Sequence, residues 1–495
     1  MASLTIDAKA GYGKVDFTRE TDNYILVEIK GGSLNTEIPR PPLEIIAVVD
    51  TSSSMATSMK MENVKKSLRL MVEHMSPQDS LSIVEYASDV RVAVSGEKTD
   101  MRSKQAIFHA IGAMQPSGMT NFSAALGMAF DAARKQECGN GSVQRIIFFT
   151  DGCPTSGNTN PQDLISLSRT IPHGWQLTTM GYGFAEDSSK NSALVTPSMG
   201  MGGEVNLDLL ERMAEAGNGN FYYMKDADSA ARAFANELGG LITTVAQEIR
   251  ITVRPDQSRI TLKEVLEDLD VDDKGDAVEI HIPDVLAEEI KLVTLAVTCK
   301  KQKAPETGST SVAIVGVQFL DTPNGEVRTI QISPMIQWVE PGKEEKQLDP
   351  DVATQLAVLQ AIKAQEDAFQ KAQAGDFAAA SAVINGAAGT LRSVGTLRAM
   401  GFAACVANMG VMLKDKGSFL RKRDEFAASA HEARKGRATG GAFMRFFSTA
   451  AQRMTQDSFA DRWDDADLQS PQPDVSSSGE SATGNRSKKS TVQRY

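Results

Sequence analysis

Between Leu43 and about Gly240, short apolar runs alternate with stretches of helical length, and this alternation restricts the fold more than any other feature of the chain. The runs are LEIIAVVD (43–50), SLSIVEYA (80–87), RIIFFTD (145–151), WQLTTMGYG (175–183) and NFYYM (220–224). Strands that are apolar nearly throughout need cover on both faces, which is the condition of a parallel sheet between two helix layers. Helices are predicted at about 60–75, 103–114, 121–136, 161–170, 206–216 and 227–246.

The flanks read differently. Residues 14–30 hold VDF and YILVEIKGG, short alternating stretches that predict a pair of strands ending before IPRPP. After Ile249, strands recur without helices between them: ITVRP, RITLKEV, AVEIHI, IKLVTLAVTCK, TSVAIVGVQFL and VRTIQISPMIQW, with a turn at Pro323-Asn324-Gly325. Two strands cannot fold alone. Residues 1–42 and 249–340 are therefore expected to form one β-sandwich into which an α/β domain, 43–248, is inserted. Asp349-Pro350 starts a helix carrying Val352, Leu356, Leu359, Ile362 and Phe369, and Gly375-Asp376 separates it from a second. Further helices at 396–415, 420–434 and 441–463 would complete an all-α domain, 349–466. Residues 467–495 are Ser-rich, almost free of large apolar side chains, and expected to be disordered. The expected fold is thus a doubly wound, Rossmann-like α/β domain inserted in a β-sandwich and followed by an all-α domain.

Composition removes several functions. The 495 residues carry 52 Lys+Arg against 63 Asp+Glu, a net charge of -11, which opposes nonspecific binding of nucleic acid or of an anionic membrane. Cys138, Cys153, Cys299 and Cys405 are far apart, with neither a CxxC pair nor a disulfide framework. The first residues, MASLTIDAKAGYGKVDFTRE, lack the basic and apolar regions of a signal peptide, and no run approaches the ~18 apolar residues of a membrane span. A cytoplasmic location is expected.

The chemistry lies where the predicted strands end, the face at which open α/β sheets bind ligands. The first strand runs into Asp50-Thr51-Ser52-Ser53-Ser54-Met55, a later one ends at Thr150-Asp151-Gly152, and Ser117-Gly118-Met119-Thr120-Asn121 opens the helix between them. Carboxylates and hydroxyls are hard oxygen donors, suited to Mg²⁺ or Mn²⁺ in an octahedral shell. With only two carboxylates, the ion would keep some positive charge and an open coordination position. DxSxS alone is common at helix caps; followed in order by the Thr and by TDG, it resembles the von Willebrand factor A (vWA) family with its metal-ion-dependent adhesion site. The resemblance implies metal ligands Asp50, Ser52, Ser54, Thr120 and Asp151. It also implies hydroxyls bound directly to the ion, one or both Asp acting through water, and a partner protein that supplies an acidic side chain. It extends to AEAGNGNFYYMKDADSAARAFANELGGLITTVAQEI, similar to the domain end in bacterial proteins and in plant RING-type proteins that carry it, and to the helical pair near 356–384. No RING cysteines accompany it, so ubiquitin-ligase activity does not carry over.

The expected function is a non-catalytic, Mg²⁺-dependent scaffold or adaptor that binds an exposed Asp or Glu of a protein partner. Met119, Asn121 and Gly152 lie at the rim of the site. Met199 and Met201 fall in an insertion of roughly twenty residues, Ala185 to Val205, a length that often marks a binding loop. Two alternatives are an adaptor for a ring-ATPase chelatase or remodelling complex, and a Mg²⁺-dependent phosphoryl-transfer enzyme with Asp50 as nucleophile. The second would resemble the dehalogenase-like phosphatases, which need an acid where this chain has Ser52. A likeness to calcium-activated chloride-channel regulators would require secretion or membrane attachment, against which the missing signal peptide counts.

Overall fold

The strand Leu43–Asp50 is buried at every position and forms the middle of a six-stranded sheet. In the computed structural model, which describes residues 3–33, 40–57, 59–136, 138–139, 141–183, 206–224, 227–413, 415, 417 and 419, the sheet order is 90–98, 80–86, 43–50, 143–150, 175–182, 218–224. Alternate residues of the central strands feed opposite cores, as the two-residue period of a strand requires. Ile45, Ala47, Val49, Ile147 and Phe149 pack with helices Lys60–His74, Met101–Ala113 and Ala227–Thr243. Ile46, Val48, Ile146 and Phe148 pack with helices Phe122–Lys135, Pro161–Ser168 and Leu207–Ala216.

The expected strands and helices of this part all form, their ends moved by a few residues. One expectation needs correction, since the sheet is not wholly parallel: Val90–Lys98 is an edge strand antiparallel to Ser80–Tyr86. It left no apolar run in the sequence because Val94 is its one buried residue.

From residue 43 the chain winds to one side of the central strand, and after residue 122 to the other. The loops leaving strands 43–50 and 143–150 therefore part in opposite directions. This is the switch point at which a crevice opens above a doubly wound sheet.

Helix Ala227–Thr243 passes directly into strand Thr244–Pro255, so the strand begins five residues before Ile249. Around it lie two antiparallel sheets, in the orders 4–10, 21–31, 290–299, 260–265 and 270–273, 278–286, 244–255, 313–321, 326–332. Ile25, Val27 and Ile29 share one apolar cluster with Ile249, Ile251, Val253, Val293 and Val315. The two N-terminal stretches do not pair with each other as expected. Thr21–Gly31 lies between Leu4–Ala10 and Ile290–Cys299, while Lys14–Asp16 runs parallel to Met335–Val339. VRTIQISPMIQW splits at Pro334 into Glu326–Ile332 and Met335–Val339, as proline cannot donate to a ladder.

Helices Pro350–Gln373, Phe377–Val394 and Leu397–Met412 follow, capped at their N-termini by Asp349, Asp376 and Thr396. The expected helices at 420–434 and 441–463, the tail 467–495 and the insertion Ala185 to Val205 lie outside the described residues.

A buried ionic cluster ties the α/β sheet to the strands that follow it. Arg145 of strand 143–150 stands 3.1 Å from Glu237 of the last α/β helix and 3.1 Å from Asp284 of strand 278–286, all three almost fully buried. Burial alone would raise the Glu237 carboxyl, but Arg145 and hydrogen bonds from Asn220, Thr178 and Tyr222 hold it below the ordinary range. Four residues before Arg145, Gly141 turns with φ +79°, and a Cβ there would lie 2.8 Å from the carbonyl oxygen of Thr322, so the two parts meet at a distance only glycine allows. Removing one member of a buried ion cluster strands the rest. Arg145→Met is expected to destabilise the protein by about 3–5 kcal/mol in urea denaturation. A loss below about 1 kcal/mol would show that the cluster does not join the two parts.

Candidate functional site

Asp50 and Asp151 sit at the ends of two neighbouring parallel strands, at the switch point, and neither has measurable solvent exposure. Their loops are built so that every carboxylate oxygen has an internal donor. Asp50 Oδ1 accepts from the Ser52 amide at 2.8 Å, and its Oδ2 from Thr150 Oγ1 at 2.8 Å with the Tyr86 hydroxyl 3.4 Å away. Asp151 Oδ1 accepts from Ser54 Oγ at 2.8 Å and its Oδ2 from Lys60 Nζ at 2.7 Å. Ser52 Oγ and Ser54 Oγ lie 3.0 Å apart and join the two carboxylates into one cluster. Among the described residues there is no group of three or more His, Cys, Asp and Glu placed so that it could hold a metal ion. The cluster at the strand ends is instead two carboxylates with hydroxyls.

The turn that carries Thr120 is tied to the Asp50 loop through the backbone of its neighbours, and the bonds of Thr120 itself go to Thr155 and Ser156. The Ser53 amide donates to Gly118 O at 3.1 Å and the Ser117 amide to Thr51 O at 2.6 Å, which ties the 117–121 turn to the Asp50 loop. From the other side the Thr120 amide donates to Thr155 Oγ1 at 2.9 Å, and Thr120 O accepts from the amides of Thr155 and Ser156. Thr120 is buried between the two loops. Gly157, with φ +68°, passes Asn121 so closely that a Cβ would fall 2.2 Å from Asn121 Oδ1.

Of the other residues expected at the rim, Met119 is half exposed. Asn121 Oδ1 is committed to capping helix Phe122–Lys135 through the Ala124 amide. The Gly152 amide donates to Thr150 Oγ1 at 3.2 Å. Met199 and Met201 lie outside the described residues.

Residues 44–236 match the von Willebrand factor type A domain family. The chain carries a vWA domain. YfbK of Escherichia coli (strain K12) is 28% identical over 222 residues, which are 45% of this chain and 35% of that protein. Human inter-alpha-trypsin inhibitor heavy chain H4 is 28% identical over 176 residues, 32% of this chain and 19% of that protein. The chain thus spans well under half the length of either relative. A von Willebrand factor type A protein from Catenulispora acidiphila has the same fold, with a TM-score of 0.61 at 15% identity over 85% of this chain and 89% of its own. The share of this chain that it covers is larger than the vWA domain alone.

Lys60, Tyr86, Thr150 and Thr155 support this end of the vWA domain, and sequence reasoning assigned none of them a role. Thr150 carried a signal, standing next to Asp151. Lys60 stands six residues after Ser54, where the first helix begins, but only the folded chain shows that its ammonium turns back to Asp151. Tyr86 ends the neighbouring strand, and its hydroxyl donates to Phe149 O at 2.9 Å. Burial, followed by the charge of Asp50, raises its hydroxyl well above the ordinary tyrosine value, so it remains a neutral donor.

Burial pushes the Asp50 carboxyl up to about 6, and the Asp151 charge adds to the rise, against hydrogen bonds from Ser52 and Thr150. The folded vWA domain therefore binds the Asp50 proton more tightly than the unfolded chain does. The contribution of Asp50 to stability falls as pH rises from about 4 through about 6, and its penalty is complete by about pH 7. Asp50→Asn lacks this titration. In EDTA, the stability of the wild type relative to Asp50→Asn is expected to drop by about 2 kcal/mol from pH 4 to pH 7. A difference that stays flat with pH would show that Asp50 ionises as an ordinary carboxylate.

Proposed function

We propose that the chain is a non-catalytic cytoplasmic scaffold whose vWA domain holds Mg²⁺, or Mn²⁺ in its place, through Asp50, Ser52, Ser54, Thr120 and Asp151, and so captures an exposed Asp or Glu of a protein partner. vWA domains commonly mediate protein–protein interactions. The observation that carries the metal is the spacing of the oxygens. Neighbouring ligands of an octahedral ion with bonds of ~2.0–2.1 Å stand about 2.9 Å apart. Ser52 Oγ and Ser54 Oγ are separated by 3.0 Å, and Ser54 Oγ and Asp151 Oδ1 by 2.8 Å. The donor set fits a small, hard dication. When bound, that ion supplies a Lewis-acidic position for a partner's carboxylate.

The chain's own residues do the orienting. Thr150 and the Ser52 amide hold the Asp50 carboxylate, and the Thr155 and Ser156 amides fix the Thr120 loop. Ser52, not an acid, stands two residues after Asp50, which disfavours the phosphoryl-transfer alternative. Cys138 and Cys299 are thiols and not half of a disulfide, in keeping with a reducing compartment.

The domain plan we propose has the vWA domain, 43–248, inserted in a β-sandwich made of 1–42 and 249–340, with a helical domain at 349–466 and a tail at 467–495. The ladder between Thr21–Gly31 and Ile290–Cys299 supports the insertion, because it brings chain from both sides of the vWA domain into one sheet.

In a Mg²⁺ titration the wild type is expected to bind one equivalent, and Asp50→Ala none while remaining folded. A pull-down from native lysate should retain a protein partner in Mg²⁺ and lose it in EDTA. Equal Mg²⁺ binding by Asp50→Ala, or a partner indifferent to EDTA, would refute the reading, and recovery of a ring ATPase would favour the remodelling adaptor.

A further inference from the structure

Lys60 opens a helix, a place where lysines are ordinarily solvated, yet it is buried. Its ammonium lies 2.7 Å from Asp151 Oδ2, the carboxylate whose other oxygen takes the Ser54 hydroxyl. The residue before it, Met59, has φ 60° and ψ 15°, a left-handed backbone that glycine adopts freely and a methionine adopts at a cost. That turn starts helix Lys60–His74 at the point from which Lys60 reaches back over the Ser52–Ser54 loop. A strained backbone and a buried cation thus meet at a cluster of two buried carboxylates, where an unpaired negative charge would be costly.

We propose that Lys60 is a built-in cation of this site, competing with the divalent ion for Asp151 and setting the affinity for that ion. The inference rests on the metal-site reading above. Without the ion, Asp50 and Asp151 ionised and Lys60 charged give the cluster a net charge of -1. With a dication the same three side chains give +1. The empty site therefore repels an acidic partner and the filled site attracts it. A site with two carboxylates and no lysine would reach only neutrality when filled. Lys60 so makes the ion bind more weakly while making its presence decisive for an anionic partner.

The test is calorimetric titration of the full chain with MgCl₂, together with thermal unfolding in EDTA and in saturating Mg²⁺, on the wild type, Lys60→Met, Lys60→Gln and Lys60→Arg. Removing a full charge beside a dication is expected to tighten Mg²⁺ binding about tenfold or more in Lys60→Met and Lys60→Gln, whereas Lys60→Arg, which keeps the charge, should bind like the wild type. The neutral variants should also unfold at lower temperature in EDTA and gain more from Mg²⁺ than the wild type does. If Lys60→Met does not fold, the Gln and Arg pair decides. Tighter binding by the neutral variants supports the proposal, including the case in which only they bind detectably. Unchanged or weaker binding by them, with an equal thermal gain from Mg²⁺, overturns it while leaving the metal site intact. Absence of Mg²⁺ binding in every variant overturns the metal site and this inference together.

Discussion

Asp50 and Asp151 close adjacent parallel strands with both carboxyl groups out of water, and the loops above the sheet are arranged around that fact. Placing two such groups side by side is costly unless each oxygen is given a donor and the charge is met by an opposite one. The chain meets the first requirement with Ser52, Ser54, Thr150 and Lys60, and the charge of Lys60 meets part of the second. The upward shift of Asp50 shows what remains unmet. A dication would remove that penalty, which makes the unfavourable electrostatics of the empty cluster the source of its affinity.

Such a cluster needs a rigid base. The six-stranded sheet provides it, with aromatic packing close beneath the site: Tyr86 stacks on Phe148, and Phe122 meets both rings edge-on. At strand 143–150 the sheet is also joined through Arg145 to the strands that follow. Asp151 follows the end of this same strand, so one β-strand carries the anchoring arginine near its start and leads into a site carboxylate. Among the described residues no helix is long and apolar enough to cross a membrane.

Much of this was legible in the sequence because buried strands and strand-end carboxylates leave direct marks. LEIIAVVD predicts a central strand, and Leu43–Asp50 is one, buried throughout. The order DTSSS, then MTN, then TDG places its members at one end of a parallel sheet, and the structure brings Asp50, Ser52, Ser54 and Asp151 into contact there. What was not legible depends on long-range pairing. Val90–Lys98, half solvated, has no apolar signature. Lys14–Asp16 gains its partner from residues more than three hundred positions away. Lys60 looks like any surface lysine at a helix start until the fold turns it toward Asp151.

The most direct test of the central claim is a crystal structure of the full chain grown with MnCl₂, with anomalous scattering collected at the manganese edge. The expected result is one manganese site at the ends of strands 43–50 and 143–150, ligated by the Ser52 and Ser54 hydroxyls with Asp50, Thr120 and Asp151 around it. A manganese ion found elsewhere on the chain, or none at saturating MnCl₂ with Asp50 and Asp151 arranged as they are here, would contradict it.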